Sequence, residues 1–238
     1  MAGALTAEPL GLDLGWAVAS AGFAVVDYEA IILELSALEV EGMPGRAVPK
    51  RRAEFLAGRW AARSALAALG VDAERAPGRN QDGSPRWPSQ VVGSITHGAA
   101  RALCAVARTS DVRSLGIDAE RLMSPAAKDE LRARICSDDE RAILARGLSA
   151  PEHHLVTFAF SAKESLYKCL YPLVGQFMDF SAARVVAAAG RAQGERLVGE
   201  LTLELGVDWS PEFRQGQQLA ARFLASEQHV ESAVVLLA

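Results

Sequence analysis

With 238 residues the chain can form one large domain or two of about 120 residues, and either size buries a proper core. Half of its residues are hydrophobic and 23% are charged, which excludes extensive disorder, and a formal net charge of −4 argues against nucleic acid as the main partner. Cys104, Cys136 and Cys169 are odd in number and form no CxxC pair, so neither a disulfide framework nor a zinc site is indicated and a reducing, cytoplasmic setting is expected.

Residues 14–26 are apolar, but the run is short for a membrane span and has no basic flank before it, so neither a span nor a leader is expected. Trp16 to Val26 reads as one or two strands broken by Gly22, and residues 34–48, with Gly42, Pro44 and Gly45, read as a loop. Pro49 suits a first helical turn, and the Ala-, Leu- and Arg-rich segment to Leu69 predicts a helix stopped by Gly70. Its buried stripe is expected at Phe55, Ala62, Leu66 and Leu69. Arg52, Arg59 and Arg63 fall within one face away from that stripe, with Arg51 further round. Such a face is either solvated or suited to phosphate, which a planar guanidinium binds through two oxygens at once.

A turn-rich loop over residues 76–90 holds Arg79, Asn80 and Asp82. Val91 to Ile95 predicts a strand ending at Thr96-His97-Gly98, and Ala102 to Ala107 a returning strand. His97 at a strand end either makes a structural hydrogen bond or serves an anion or a base. A break near residues 108–114 is the one plausible boundary, dividing the chain into residues 1–112 and 113–238. In Leu115-Gly116-Ile117-Asp118-Ala119-Glu120, strand alternation sends Asp118 and Glu120 to the same side. Two carboxylates so placed repel unless a cation lies between them, and hard oxygen ligands favour Mg²⁺ over zinc.

Residues 121–148 read as helical and charged, with a capping box at Ser137-Asp138-Asp139-Glu140. A second box at Ser149-Ala150-Pro151-Glu152 predicts a helix running to about Pro172, with Leu155, Ala159, Ala162, Leu166 and Cys169 toward the core. Glu164 then lies opposite that stripe, beside Phe160, Tyr167, Lys168 and Tyr171. An acid among aromatics points to a metal, a lysine or a reacting group nearby; the plainer reading is a rim acid paired with Lys168 at i+4. Strands follow at about 183–188, 197–205, 219–224 and 230–237.

GSITH at 93–97, GIDAE at 116–120 and FSAKESLYK at 160–168, taken with KRRAEFLAGRWAARSAL at 50–66 and GRNQDGSPRWP at 78–88, closely resemble the signature of the 4′-phosphopantetheinyl transferases of the siderophore-synthetase (Sfp-like) class. The resemblance covers residues 45–178 well and the two ends loosely. It implies an α+β fold of two similar subdomains related by a pseudo-twofold, each a small, mainly antiparallel sheet packed with a long helix. It also implies transfer of the phosphopantetheine arm of coenzyme A to a serine of an apo acyl, peptidyl or aryl carrier protein, releasing adenosine 3′,5′-bisphosphate.

By the same resemblance, Asp118, Glu120 and Glu164 match the ligands of Mg²⁺ (or Mn²⁺), and Glu164 matches the base. Asp118 and Lys168 complete the implied catalytic set. Arg51, Arg59, Arg79, Thr96 and His97 match positions that hold the nucleotide phosphates, and Lys168 a pyrophosphate contact; Lys163, Phe160 and Tyr167 match positions near the pantetheine arm. Helix geometry favours Arg52 over Arg51 for phosphate, whereas motif alignment favours Arg51. Thr96 replaces the serine of many relatives and Arg79 the lysine. Two other readings fit the acids and arginines: a noncatalytic carrier-protein or nucleotide binder on the same fold, and an unrelated Mg²⁺-dependent phosphohydrolase. A monomer is expected, since two halves of one chain need no second subunit.

Overall fold

The computed structural model describes residues 21–27, 48–71, 77–98, 101–124 and 129–238. The chain divides into two compact units, Met1–Arg113 with Leu237–Ala238, and Ser114–Leu236. The fold is α+β, with small antiparallel sheets and helices in both units.

In the first unit, strand β1 (Ala21–Asp27) precedes helix α1 (Pro49–Ala68). The rest of the strand expected over Trp16 to Val26, and most of the loop at 34–48, lie outside the described residues. Proline opens α1 because a first-turn N–H has no intrahelical acceptor to lose. Gly70, at φ 72°, closes it, and the Val71 N–H donates back to the Leu66 carbonyl. A two-residue ribbon follows, β2 (Gly78–Arg79) against β3 (Pro85–Arg86), and then β4 (Val91–Gly98) and β5 (Arg101–Arg108). The sheet order is β1-β5-β4, antiparallel throughout, and α1 packs on it.

The buried face of α1 is broader and smaller in side-chain size than the sequence stripe predicts. Ala53, Leu56, Ala57, Ala61, Ala62, Ala65 and Leu66 are buried, Phe55 is only half-buried, and Arg59 is buried rather than turned outward. The reason is close approach: alanines and Gly58 let the helix backbone settle on the sheet, and a Cβ on Gly58 would lie 2.9 Å from the Ile95 Cγ2 methyl. β4 ends at Thr96-His97-Gly98, as expected from sequence, and its ladder with β5 is unbroken to the Gly98–Arg101 pair.

The second unit contains β6 (Val112–Arg121, shared at its first residues with the first unit), α2 (Asp129–Ile135), α3 (Asp138–Gly147), α4 (Glu152–Val174) and strands β7 (Ala183–Gln193), β8 (Arg196–Leu205), β9 (Gln218–Ala225) and β10 (His229–Leu237). Sheet order is β6-β10-β9-β8-β7. The expected charged helix over 121–148 is two helices, separated by the Ser137–Glu140 capping box that starts α3. The second expected box does not form. Proline bars the preceding residue from helical geometry, so Ala150 cannot be a first helical residue; Pro151 becomes the cap and α4 begins at Glu152. Pro172 is tolerated in the last turn, and α4 ends at Gly175, which takes φ 69°.

All five expected core positions of α4, Leu155, Ala159, Ala162, Leu166 and Cys169, are 1% exposed or less. They join Phe158 and Leu170 in a core with Val185, Leu201, Leu203 and Phe223, where Phe158 meets Phe223 edge-on at 5.0 Å. Among the described residues no helix is long and apolar enough to cross a membrane.

Candidate active site

Glycine at 116 sets the geometry of the second unit. A Cβ there would lie 2.0 Å from the Ser165 carbonyl oxygen and 2.4 Å from the Cys169 nitrogen, so β6 can touch the α4 backbone only without a side chain at that point. Ser114 fastens the contact by donating to the Cys169 carbonyl at 2.5 Å. Ser161 and Ser165 share hydroxyl contacts of 2.7 and 2.8 Å with Ser232 on β10, and all three are buried. Small, mutually satisfied polar residues thus replace bulky apolar ones where the helix meets β6 and β10.

Two residues along β6 from Gly116, Asp118 is 2% exposed and receives the Lys168 ammonium at 2.6 Å. Lys168 lies one turn of α4 beyond Glu164. The lysine considered from sequence as the i+4 partner of Glu164 thus meets a longer-range acid as well, and its charge still acts on Glu164. Glu120 is half-buried; burial first, and then the Asp118 charge, push its carboxyl up to about 7, Lys168 opposing and Glu164 adding to the rise. Burial also raises Glu164, with Lys168 lowering it and Asp118 raising it. Asp118, Glu120 and Glu164 therefore share one field, with one lysine acting on all three. As they stand, no three His, Cys, Asp or Glu among the described residues are drawn together closely enough to hold a metal ion.

Beside Glu164 a cavity of about 330 Å³ opens, walled by Tyr167, Phe177, Met178, Phe180 and Trp209, with Lys163 and Arg134 as its cations. The Tyr167 ring is tilted against Tyr171 at 5.4 Å and meets Phe177 at 5.7 Å; Phe160 stands against the cavity wall at Phe180, 5.2 Å away. The sequence singled out Tyr167, Phe160 and Lys163 but not Arg134, Phe177, Phe180 or Trp209. The last three follow the helix in stretches with no periodic signal, and only the fold returns them to it.

The first unit carries the candidate phosphate-binding residues, Arg51, Arg59, Arg79, Thr96 and His97. Helix α1 runs along β4, so that Gly58 faces Ile95 and, two turns earlier, Arg51 reaches His97, two residues further on the strand. Arg51 Nη1 donates to His97 Nε2 at 2.8 Å, which assigns the ring proton to Nδ1; Glu54 Oε2 lies 3.8 Å from that Nδ1 and 3.4 Å from Arg51. Strand alternation turns the buried Thr96 to the opposite face from His97. Arg59, 8% exposed, lies 4.9 Å over the Phe55 ring, and its Nη1 has no hydrogen-bond partner. Burial, and then the charge of Arg79, lower its pKa. Exposed Arg79 donates to the Gly83 carbonyl at 3.3 Å. Arg52 is half-buried.

A family model described as the 4′-phosphopantetheinyl transferase N-terminal domain matches residues 40–107, and one described as the 4′-phosphopantetheinyl transferase superfamily matches residues 114–223. Over 143 residues the chain is 46% identical to 4′-phosphopantetheinyl transferase Svp of Streptomyces mobaraensis, covering 59% of this chain and 56% of the relative. It is 41% identical to enterobactin synthase component D of Salmonella typhimurium over 138 residues, covering 58% and 56% of the two chains. It is 39% identical to 4′-phosphopantetheinyl transferase PptT of Mycobacterium tuberculosis over 141 residues, covering 59% and 60%. The match thus spans little more than half the length of each relative. The acid-bearing contact of β6 with α4 falls inside the second matched region, the basic face of α1 inside the first, and the chain belongs to the 4′-phosphopantetheinyl transferase superfamily.

Proposed function

We propose that this protein is an enzyme that transfers the 4′-phosphopantetheine arm of coenzyme A to a serine of an apo acyl, peptidyl or aryl carrier protein, releasing adenosine 3′,5′-bisphosphate. The observation that carries the reading is the meeting of Asp118, Glu120, Glu164 and Lys168 at the Gly116 contact, directly beside a cavity whose wall mixes aromatic rings with charged groups of both signs. Family membership and the names of the relatives support it.

The reaction needs no covalent enzyme intermediate. The serine oxygen forms a bond to the β-phosphorus, the bond from that phosphorus to the bridging oxygen breaks, and the nucleotide bisphosphate leaves with the electron pair. Glu164, at the cavity edge, receives the serine proton directly or through a water. Lys168, now held by Asp118, is the cation for the pyrophosphate oxygens. The cavity beside Tyr167 takes the pantetheine arm, whose amides and methyls suit a wall with both aromatic rings and cations. Arg51, Arg59, Arg79 and His97 bind the nucleotide phosphates; Thr96, matched to the same role from sequence, is buried and turned to the other strand face. The Arg51 contact with His97 favours Arg51 over Arg52 for this role.

Three half-buried or buried carboxylates sharing one lysine leave more negative charge than that lysine neutralises, which suits a hard divalent cation. Asp118, Glu120 and Glu164 would hold Mg²⁺, which supplies charge neutralisation at the pyrophosphate when bound. Lys168 would then exchange Asp118 for a phosphate oxygen.

The test is incubation with coenzyme A, Mg²⁺ and several apo carrier proteins, read by intact mass. The expected result is a gain of one phosphopantetheine on a carrier. Coenzyme A binding without any gain would favour a nucleotide-binding module, and phosphate release from simple esters would favour a phosphohydrolase.

A further inference from the structure

Glu54 is an acid set among the candidate phosphate-binding residues of the first unit. On α1 it stands one turn from Arg51 and Lys50, with Oε2 3.4 Å from Arg51 Nη1 and Oε1 3.9 Å from Lys50 Nζ. An acid that served only such surface pairs would lie in solvent. The Glu54 side chain is instead 14% exposed, and its Oε2 lies 3.8 Å from His97 Nδ1 on β4. On the other side of the ring, Arg51 Nη1 donates to Nε2 at 2.8 Å. The free protein thus holds a neutral imidazole with its proton toward Glu54.

A ring in that state offers no donor to a phosphate. Once Arg51, whose side chain is 55% exposed, turns to the anion, Nε2 would present a lone pair to the phosphate oxygens. Moving the ring proton to Nε2 would instead present the Nδ1 lone pair to the Glu54 carboxylate. With an anion on each side, only the imidazolium meets both with an N–H, so Nε2 takes one proton from solvent. Across the ladder His97 pairs with the uncharged Ala102; Arg101 follows opposite Gly98, and Asp27 of β1 is in register with Arg101. The cations Arg51, Lys50 and Arg101 oppose charging of the ring, and the carboxylate at Nδ1 offsets them. We infer that Glu54 is a positioning residue for the 3′-phosphate of coenzyme A: it holds the His97 Nδ1–H, so that the ring takes up a proton at Nε2 as the phosphate draws Arg51 away. The inference rests on the proposed transferase reading, in which Lys168 meets the pyrophosphate and the first unit meets the remaining phosphate.

The test is calorimetry of the full chain with Mg²⁺, in buffers of different ionisation enthalpy, using coenzyme A and 3′-dephospho-coenzyme A. The second ligand keeps the pyrophosphate and lacks only the 3′-phosphate. At about pH 8 a phosphate monoester is already a dianion, so its own titration does not enter. Wild type is expected to take up about 0.5 to 1 proton more with coenzyme A than with the dephospho form. In Glu54→Gln that difference should vanish and coenzyme A should bind about 10-fold more weakly, the loss of one pKa unit of support. The dephospho form should stay within about 2-fold of wild type. A carboxylate that merely repelled the nucleotide would give the opposite sign, with Glu54→Gln binding coenzyme A more tightly. That result would overturn the inference and leave the transferase reading intact. So would equal proton uptake with the two ligands in wild type, a measurement that needs no variant to fold. Wild-type protein that binds no coenzyme A would overturn both.

Discussion

The candidate site residues of the two units are opposite in sign, basic in the first and acidic in the second. In the first, Arg59 is buried with an unsatisfied Nη1 and the charge of Arg79 against it, while Glu54 is the acid shared by Lys50, Arg51 and His97. In the second, Asp118, Glu120 and Glu164 act on one another with Lys168 among them. A fold selected for stability alone would pair such charges within each unit or replace them by apolar residues. The unsatisfied Arg59 guanidinium suits a phosphate, and the clustered acids suit a divalent metal. Glu140 and Lys163 show the contrast, because each charge of that buried pair meets its opposite and a backbone partner as well.

The largest effect is expected at the acid side. Glu164→Gln keeps shape but removes the proton acceptor, so carrier modification should fall about 1,000-fold while coenzyme A still binds in calorimetry. Transfer at the wild-type rate would break the assignment of Glu164. Next comes the contact that assembles the acids. Gly116→Ala places a methyl against two backbone atoms of α4 that cannot yield, and is expected to cost about 3 kcal/mol in denaturant melts. An unchanged midpoint would show that strand and helix can separate there without loss.

The basic side should respond in the opposite sense. Arg59→Met relieves an unsatisfied buried cation, so the protein should melt no lower than wild type, while coenzyme A binds about tenfold more weakly. A loss of both stability and affinity would show that the guanidinium is already matched. The smallest effect is a slope. The folded Glu120 pKa, about 7 against the ordinary 4.5, means that the folded state holds more protons than the unfolded state between those values. Stability should therefore be fullest below pH 4.5 and fall as pH rises through 7, a term moderated by the solvent that reaches Glu120. Glu120→Gln should flatten that part of a melting-temperature profile, and Mg²⁺ above pH 7 should raise the melting temperature of wild type but not of the variant.

The acids of the site were legible because their signals are local. Alternation along 115–120 pairs Asp118 with Glu120, and helical spacing sets Glu164 and Lys168 on one face apart from the Leu155 to Cys169 stripe. Arg59 was misread because the same spacing assumes one narrow buried face, whereas an alanine- and glycine-rich helix sinks into the sheet and buries more of its circumference. The box at Ser149–Glu152 misled because the pattern ignores what Pro151 does to the residue before it. Glu140 was visible as a cap, but nothing near it in sequence points to a lysine 23 positions away.

By itself, then, the sequence determined the residue types, the period of each element and the family motifs they spell, because those depend on backbone geometry over a few residues. Only the tertiary structure decided that Lys168 pairs with Asp118, that Lys163 is held by Glu140, and that Trp209 and Phe180 return to wall the cavity beside Glu164. Those outcomes depend on where a glycine lets a strand touch a helix and on which buried charge finds a partner. Both are properties of packing between distant segments.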